Sequence, residues 1–218
     1  MDGFPCPTDG HGGQWDAWAW HSGLTDLPAD AARVLIFAGR LSPGSLDSVW
    51  ITRDDVFRAR PDWHLLFLAS MAWGYGLAGY GLHRTRRILE DPGGDVVAEA
   101  IAELRKCAGP RATWRAFSRH GTAKVPGLAT AFASKIAYFA CYDRERGQGP
   151  LIADRWSAWG FWAVDGTWDI RTDGGRYAHY VETAASVAGN LGVRSDDIER
   201  ALFVAGPHVR SVWRELRG

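Results

Sequence analysis

Residues 124–162 read KVPGLATAFASKIAYFACYDRERGQGPLIADRWSAWGFW, and the reading of this stretch decides the fold. Pro126–Gly127 marks a tight turn, the spacing from Thr130 to about Tyr142 predicts a helix, a polar charged loop follows, and Asp154 stands where it would cap a second helix. Turn, helix, loop and helix in that order set the expectation of an all-α chain. Lys135 lies early in the first helix among Ala133, Ile136, Ala137 and Phe139. Of the 25 Lys and Arg residues only Lys106, Lys124 and Lys135 are lysine, so arginine is this chain's default cation. A lysine in an apolar stretch then points to chemistry that an always-protonated guanidinium cannot perform, with a snorkelling lysine at a helix end as the ordinary alternative.

Upstream, residues 1–27 hold Trp15, Trp18 and Trp20 among Gly, Asp and His with no clear period, which predicts an irregular arm wrapping a helical domain over 28–218. Pro28 opens a helix with an apolar stripe through Ala32, Val34, Leu35 and Ala38, ending at Gly39. After the loop SPGSLDS, Thr52 and Asp55 form a capping pattern, and Pro61–Asp62 starts the run WHLLFLASMAWGYGLAGYG, a buried helix and a glycine-rich turn. GLHRTRRILE, GGDVVAEAIAELRKCAG and PRATWRAFSRHG continue as helices. Downstream, AVDGTWDIRTDGG is the one strand candidate, through a tight Asp165–Gly166 turn, with an irregular loop as the alternative. RYAHYVETAASVAGNLG, SDDIERALFVAG and PHVRSVWRELRG read as three helices packing a C-terminal lobe.

A chain of 218 residues, 46% hydrophobic, can bury a core as one large domain or two closely packed lobes. No run reaches the roughly 18 apolar residues of a membrane span, and the opening lacks a signal pattern, so a cytoplasmic protein is expected. Cys6, Cys107 and Cys141 are odd in number and far apart, which excludes a disulfide framework and a cysteine-bound zinc or iron–sulfur site. His11 and His21 lack a third ligand at sensible spacing; neither metal nor cofactor is expected. The net charge is zero, but aspartates weight the first fifty residues while Arg84, Arg86, Arg87, Arg111, Arg115 and Arg119 begin a basic middle, a distribution that permits one basic face.

The Pro-Gly turn, the lysine after it and the aspartate nineteen residues later resemble the helix-hairpin-helix DNA glycosylases, and the spacing is that of their 8-oxoguanine branch. ADRWSAW resembles the VDVHMW-like context of that branch, and MAWGYGLAGYG, HRTRRIL, YAHYVETAASVAG and DDIERALF resemble bacterial proteins of the same fold, so the likeness covers roughly residues 60 to 205. The resemblance implies two closely packed helical lobes, Lys135 as a Schiff-base nucleophile and Asp154 as the carboxylate that stabilises the sugar cation. The chemistry agrees: cleaving an N-glycosidic bond builds positive charge on the sugar, and an amine attacks the anomeric carbon when apolar surroundings favour its uncharged form.

The implied partner is double-stranded DNA carrying a modified base, bound by a monomer. Turn and helix starts present N–H groups for phosphate, so Lys124, Gly127, Ala129, Thr130 and Arg155 are the expected DNA contacts. Such enzymes flip the target base between aromatic surfaces, and Trp73, Phe139, Trp156 and Trp159 are the candidates. Two positions depart from the family: Ala129 replaces the usual second glycine of the hairpin, and Phe139 stands where eukaryotic 8-oxoguanine enzymes carry a cysteine against the base. Bacterial relatives of this fold include antiphage proteins that excise glucosylated hydroxymethylcytosine, a substrate that requires a wider pocket, and the glycine-rich MAWGYGLAGYG turn and the missing cysteine place such a hypermodified base slightly ahead of 8-oxoguanine repair. A non-catalytic DNA-binding module and a helical interaction protein are the rivals from other classes.

Overall fold

The computed structural model describes residues 12–217; Cys6 and His11 lie outside them. The described chain forms two compact units, one of residues 12–102 with Val125–Leu128 and one of Glu103–Lys124 with residues 129–217. Helices make up both, as the sequence predicts.

In the first unit a two-stranded antiparallel sheet pairs β1 (Gly12–Trp15) with β2 (Val49–Thr52), Gly12 opposite Thr52 and Trp15 opposite Val49. The approach is close enough to require glycine at 12, where a Cβ would lie 2.1 Å from the Ile51 carbonyl oxygen. Helix α1 (Ala17–Gly23) follows, capped by Asp16, so residues 12–23 are regular rather than the expected irregular arm. A four-residue strand and a two-turn helix are too short to show a period, and the strand's partner lies far along the chain. Trp15 is buried edge-on to Trp20 at 5.9 Å.

Helix α2 (Pro28–Leu41) runs two residues past Gly39, where no Cβ would meet anything, so that glycine does not break it. The Thr52–Asp55 capping box starts α3 (Arg53–Arg58), and Asp62 caps α4 (Trp63–Tyr75), whose residues from Leu66 to Ala72 are all buried. Helix α5 (Tyr80–Ile88) and one wide turn (Leu89–Gly93) lead to α6 (Gly94–Arg105).

The second unit contains α7 (Pro110–Phe117), α8 (Thr130–Cys141), α9 (Arg155–Asp165), α10 (Gly174–Leu191) and α11 (Ser195–Glu215). Of the two readings of AVDGTWDIRTDGG the loop between helices holds and the strand does not: α9 runs through Asp165, Gly166 ends it in the left-handed region, and a loop reaches Asp173, the cap of α10. The two last predicted helices are one, with Pro207 inside α11. Packing overrides the local break here, because α9 and α11 cross at two glycines. A Cβ on Gly160 would lie 2.1 Å from the Leu202 carbonyl oxygen, and one on Gly206 would lie 2.2 Å from that of Trp156.

Candidate active site

Helix α8 is apolar on every side, and residues Ala133 to Ala140 are all buried, Lys135 among them at 6% exposure. A buried ammonium group needs a partner. Lys135 Nζ donates to Asp154 Oδ2 at 3.2 Å and lies 5.3 Å from the centre of the Phe132 ring.

Asp154 holds its carboxylate still by capping α9. Its Oδ1 accepts the backbone N–H groups of Trp156 (2.9 Å) and Ser157 (3.1 Å), while its own N–H donates to Ser157 Oγ at 2.9 Å. One oxygen is thereby committed to the helix and the other is left to Lys135. Burial pushes the carboxyl pKa up, but the Lys135 charge and the Ser157 and Trp156 N–H groups outweigh it and hold it below the ordinary carboxylate value. The carboxylate is therefore ionised at neutral pH.

The segment leading into Asp154 is buried and extended, so its backbone groups need partners from elsewhere. Tyr177 OH donates to the Leu151 carbonyl (2.9 Å), Tyr180 OH to that of Ile152 (3.0 Å), and Ser134 Oγ, next to Lys135, accepts the Ala153 N–H (3.0 Å). Asp154 is thus tied to α8 through Lys135, and the segment that leads into it is held by α8 and α10. The far face of α8 is fixed by Asp196, 2% exposed in the first turn of α11, which accepts from Tyr138 OH (2.7 Å) and Tyr142 OH (2.9 Å) and pairs with Arg194 Nε (3.1 Å).

Of the other expected residues, Arg155 and Trp156 adjoin the pair: Arg155 is exposed and its guanidinium lies 4.2 Å from the centre of the Trp156 ring. Trp159 sits edge-to-face with Trp162, Trp168 and Trp213 at 5.0 to 5.5 Å. Phe139 is a correction, since it is fully buried against Tyr138 and has no surface to offer a base. Ala129 precedes α8 with extended backbone and Thr130 opens it; no side chain caps this helix and no acid stands in its first turn, which leaves its positive end uncompensated. Lys124 is half-buried. Gly127, at φ +78, belongs to the first unit, as does Trp73, which lies under the Arg53 guanidinium at 5.5 Å.

Sequence reading missed Asp169 and Arg171, which form a two-pronged ion pair (2.7 and 2.8 Å) in the loop after α9. With Arg155, Ala158, Trp159 and Trp168 they line a depression of about 30 Å³, room for one water molecule. Asp169 adopts a left-handed φ of +47, unusual outside glycine. The only local signal was a close Asp and Arg pair in a stretch read as loop or strand.

Among the described residues no group of three metal-ligating side chains exists and no helix is long and apolar enough to cross a membrane. No curated protein and no solved structure matches the chain. A family model described as "Putative 8-oxoguanine DNA glycosylase OGG-like protein" matches residues 7–203, which include Lys135, Asp154 and all of α1 to α10, and the chain belongs to that glycosylase family.

Proposed function

We propose that the protein excises a modified base from double-stranded DNA with Lys135 as nucleophile and Asp154 as the carboxylate facing the developing sugar cation. The observation that carries this reading is the 3.2 Å approach of Nζ to Oδ2 in a chain of this family. Lys135 first gives a proton to solvent, and its lone pair then bonds to C1′ of the flipped nucleotide. The electrons of the glycosidic bond leave with the base, which takes up a proton. Asp154 remains ionised throughout and offsets the positive charge on the sugar. Opening of the sugar ring gives a Schiff base, and water hydrolyses it to an abasic site; β-elimination at the same stage would cut the strand.

The proposed substrate is a hypermodified phage base such as glucosylated hydroxymethylcytosine, which makes the protein an antiphage enzyme. In support stands the lack of the cysteine that eukaryotic 8-oxoguanine enzymes hold against the base, its place being taken by buried Phe139. The family description favours 8-oxoguanine as the second reading. Base release from glucosylated phage DNA and from an 8-oxoguanine duplex, with wild type beside Lys135→Ala, separates them. Release from the phage DNA alone supports the first substrate. Release of 8-oxoguanine alone establishes the second, and no release from either, with DNA binding retained, returns the protein to a binding module.

A further inference from the structure

Trp156 carries two guanidinium groups on one ring. Arg155 lies 4.2 Å from its centre and Arg210, from α11, lies 5.6 Å away. Arg214 follows one helical turn after Arg210 on the same face of α11. Among the described residues no carboxylate pairs with Arg155, Arg210 or Arg214, whereas in the same unit Arg146 pairs with Asp143 and Arg176 with Asp173. The Arg210 guanidinium has its pKa lowered by desolvation and then by the charges of Arg214 and Arg155, as expected of cations crowded together.

Stability does not explain this arrangement. Arg155 occupies the first turn of α9, where the helix dipole disfavours a cation, and the carboxylate of the Asp154 cap is engaged by Lys135 and by backbone N–H groups rather than by Arg155. Arg214 suits the last turn of α11, but Arg210 shares the Trp156 ring with Arg155 despite their mutual repulsion. A guanidinium stacked on an aromatic face keeps its N–H edge free to grip an anion with two oxygens. The Trp156 backbone N–H donates to Asp154, so the cluster begins at the candidate catalytic carboxylate.

We infer that Arg155, Arg210 and Arg214 form a backbone-phosphate site in which the C-terminal half of α11 holds a DNA strand beside the Lys135–Asp154 pair. Arg210 and Arg214 lie beyond the residues matched by the family model. The inference rests on the DNA-binding part of the proposed function and adds to it a contact supplied from outside the matched segment.

The test is anisotropy of a labelled, unmodified duplex titrated with full-length protein over a salt series. Wild type is compared with Arg210→Gln/Arg214→Gln and with Arg146→Gln/Arg176→Gln, which removes the same charge from arginines already paired. Each lost phosphate contact lowers the slope of log affinity against log salt by about 0.9. The first pair is expected to lower it by about 2 and the second by less than half of one such contact. An unchanged slope in the first pair overturns the inference, and so does an equal fall in both. No binding by wild type at low salt removes the DNA reading itself, a different result from a duplex that binds with its slope untouched by Arg210 and Arg214. All four side chains reach solvent, so folding is preserved, and Arg155→Gln provides an independent variant expected to lower the slope by about 1.

Discussion

Asp154 and Asp196 are both low-exposure carboxylates at helix starts in the second unit, and both touch α8, yet they are built for different tasks. Asp196 has both oxygens taken by phenolic O–H groups, with Arg194 adding a charge, and it is 2% exposed. Asp154 gives one oxygen to the backbone of its own helix and the other to a single lysine, and 14% of its side chain reaches solvent. A carboxylate saturated by fixed donors can only hold structure. One whose remaining oxygen faces a removable amine can meet a cation that takes the amine's place.

The contrast is tested most severely by deleting a partner from each. Lys135→Ala is expected to lower base release by on the order of 10³-fold or more, about 4 kcal/mol of barrier, while duplex binding persists. Borohydride trapping of the Schiff base should vanish with it, and retention of the trapped complex would assign the nucleophile elsewhere. Asp196→Ala is expected to do the reverse. Removing it leaves Arg194, Tyr138 and Tyr142 facing an empty site, a loss of roughly 3 kcal/mol of stability read by urea unfolding, with turnover per folded molecule retained.

Asp154→Asn is the gentler variant because asparagine also caps helices. Base release should fall roughly 10²-fold from loss of charge at the sugar cation, with about 1 kcal/mol of stability lost. The pH dependence has a definite sign. The Asp154 pKa is lower folded than unfolded, so its contribution is present above the ordinary value of about 4 and disappears as pH falls through the lower folded value. The stability gap between wild type and Asp154→Asn should therefore narrow as the pH falls below the ordinary carboxylate value of about 4. A gap that widens on acidification would mean that Asp154 does not stabilise the fold as an anion.

These two carboxylates also mark how far the sequence could be read. Asp154 was legible because capping is local and its distance from Lys135 matches a known family. Asp196 gave no such signal, since its donors lie on α8, more than fifty residues away. Phe139 misled for a related reason: α8 is buried on all sides, and spacing cannot separate a core aromatic from one that lines a pocket when a helix has no polar face. The same limit hid β1, whose partner is remote, and the continuation of α11 through Pro207, which depends on the glycine crossing with α9. The stacking of Arg155 and Arg210 on one tryptophan likewise joins two helices and leaves no trace in either alone.

The smallest effects decide whether the two carboxylates are separable. Burial is the main force raising the Tyr142 pKa, so the phenol is a protonated donor at neutral pH, and Tyr142→Phe keeps the ring while removing the bond donated to Asp196 Oδ1, the one accepted from the Asp196 N–H and the contact with Ser195 Oγ. Tyr138→Phe removes the bond to Asp196 Oδ2, one turn nearer Lys135. Tyr138→Phe should cost about 1 kcal/mol of stability and Tyr142→Phe about 2 kcal/mol, because Arg194 and the other phenol still hold the carboxylate in both while the Asp196 N–H loses its acceptor only in the second. Base release should change by less than a factor of about three, since lost stability alone leaves the folded population almost complete. A tenfold fall in turnover with stability intact would show that Asp196 acts through α8 on the position of Lys135. The buried network would then belong to the active site, and the division between a structural and a chemical carboxylate would fail at Tyr138 before it failed at Tyr142, because Tyr138 is three residues from the lysine and Tyr142 is seven.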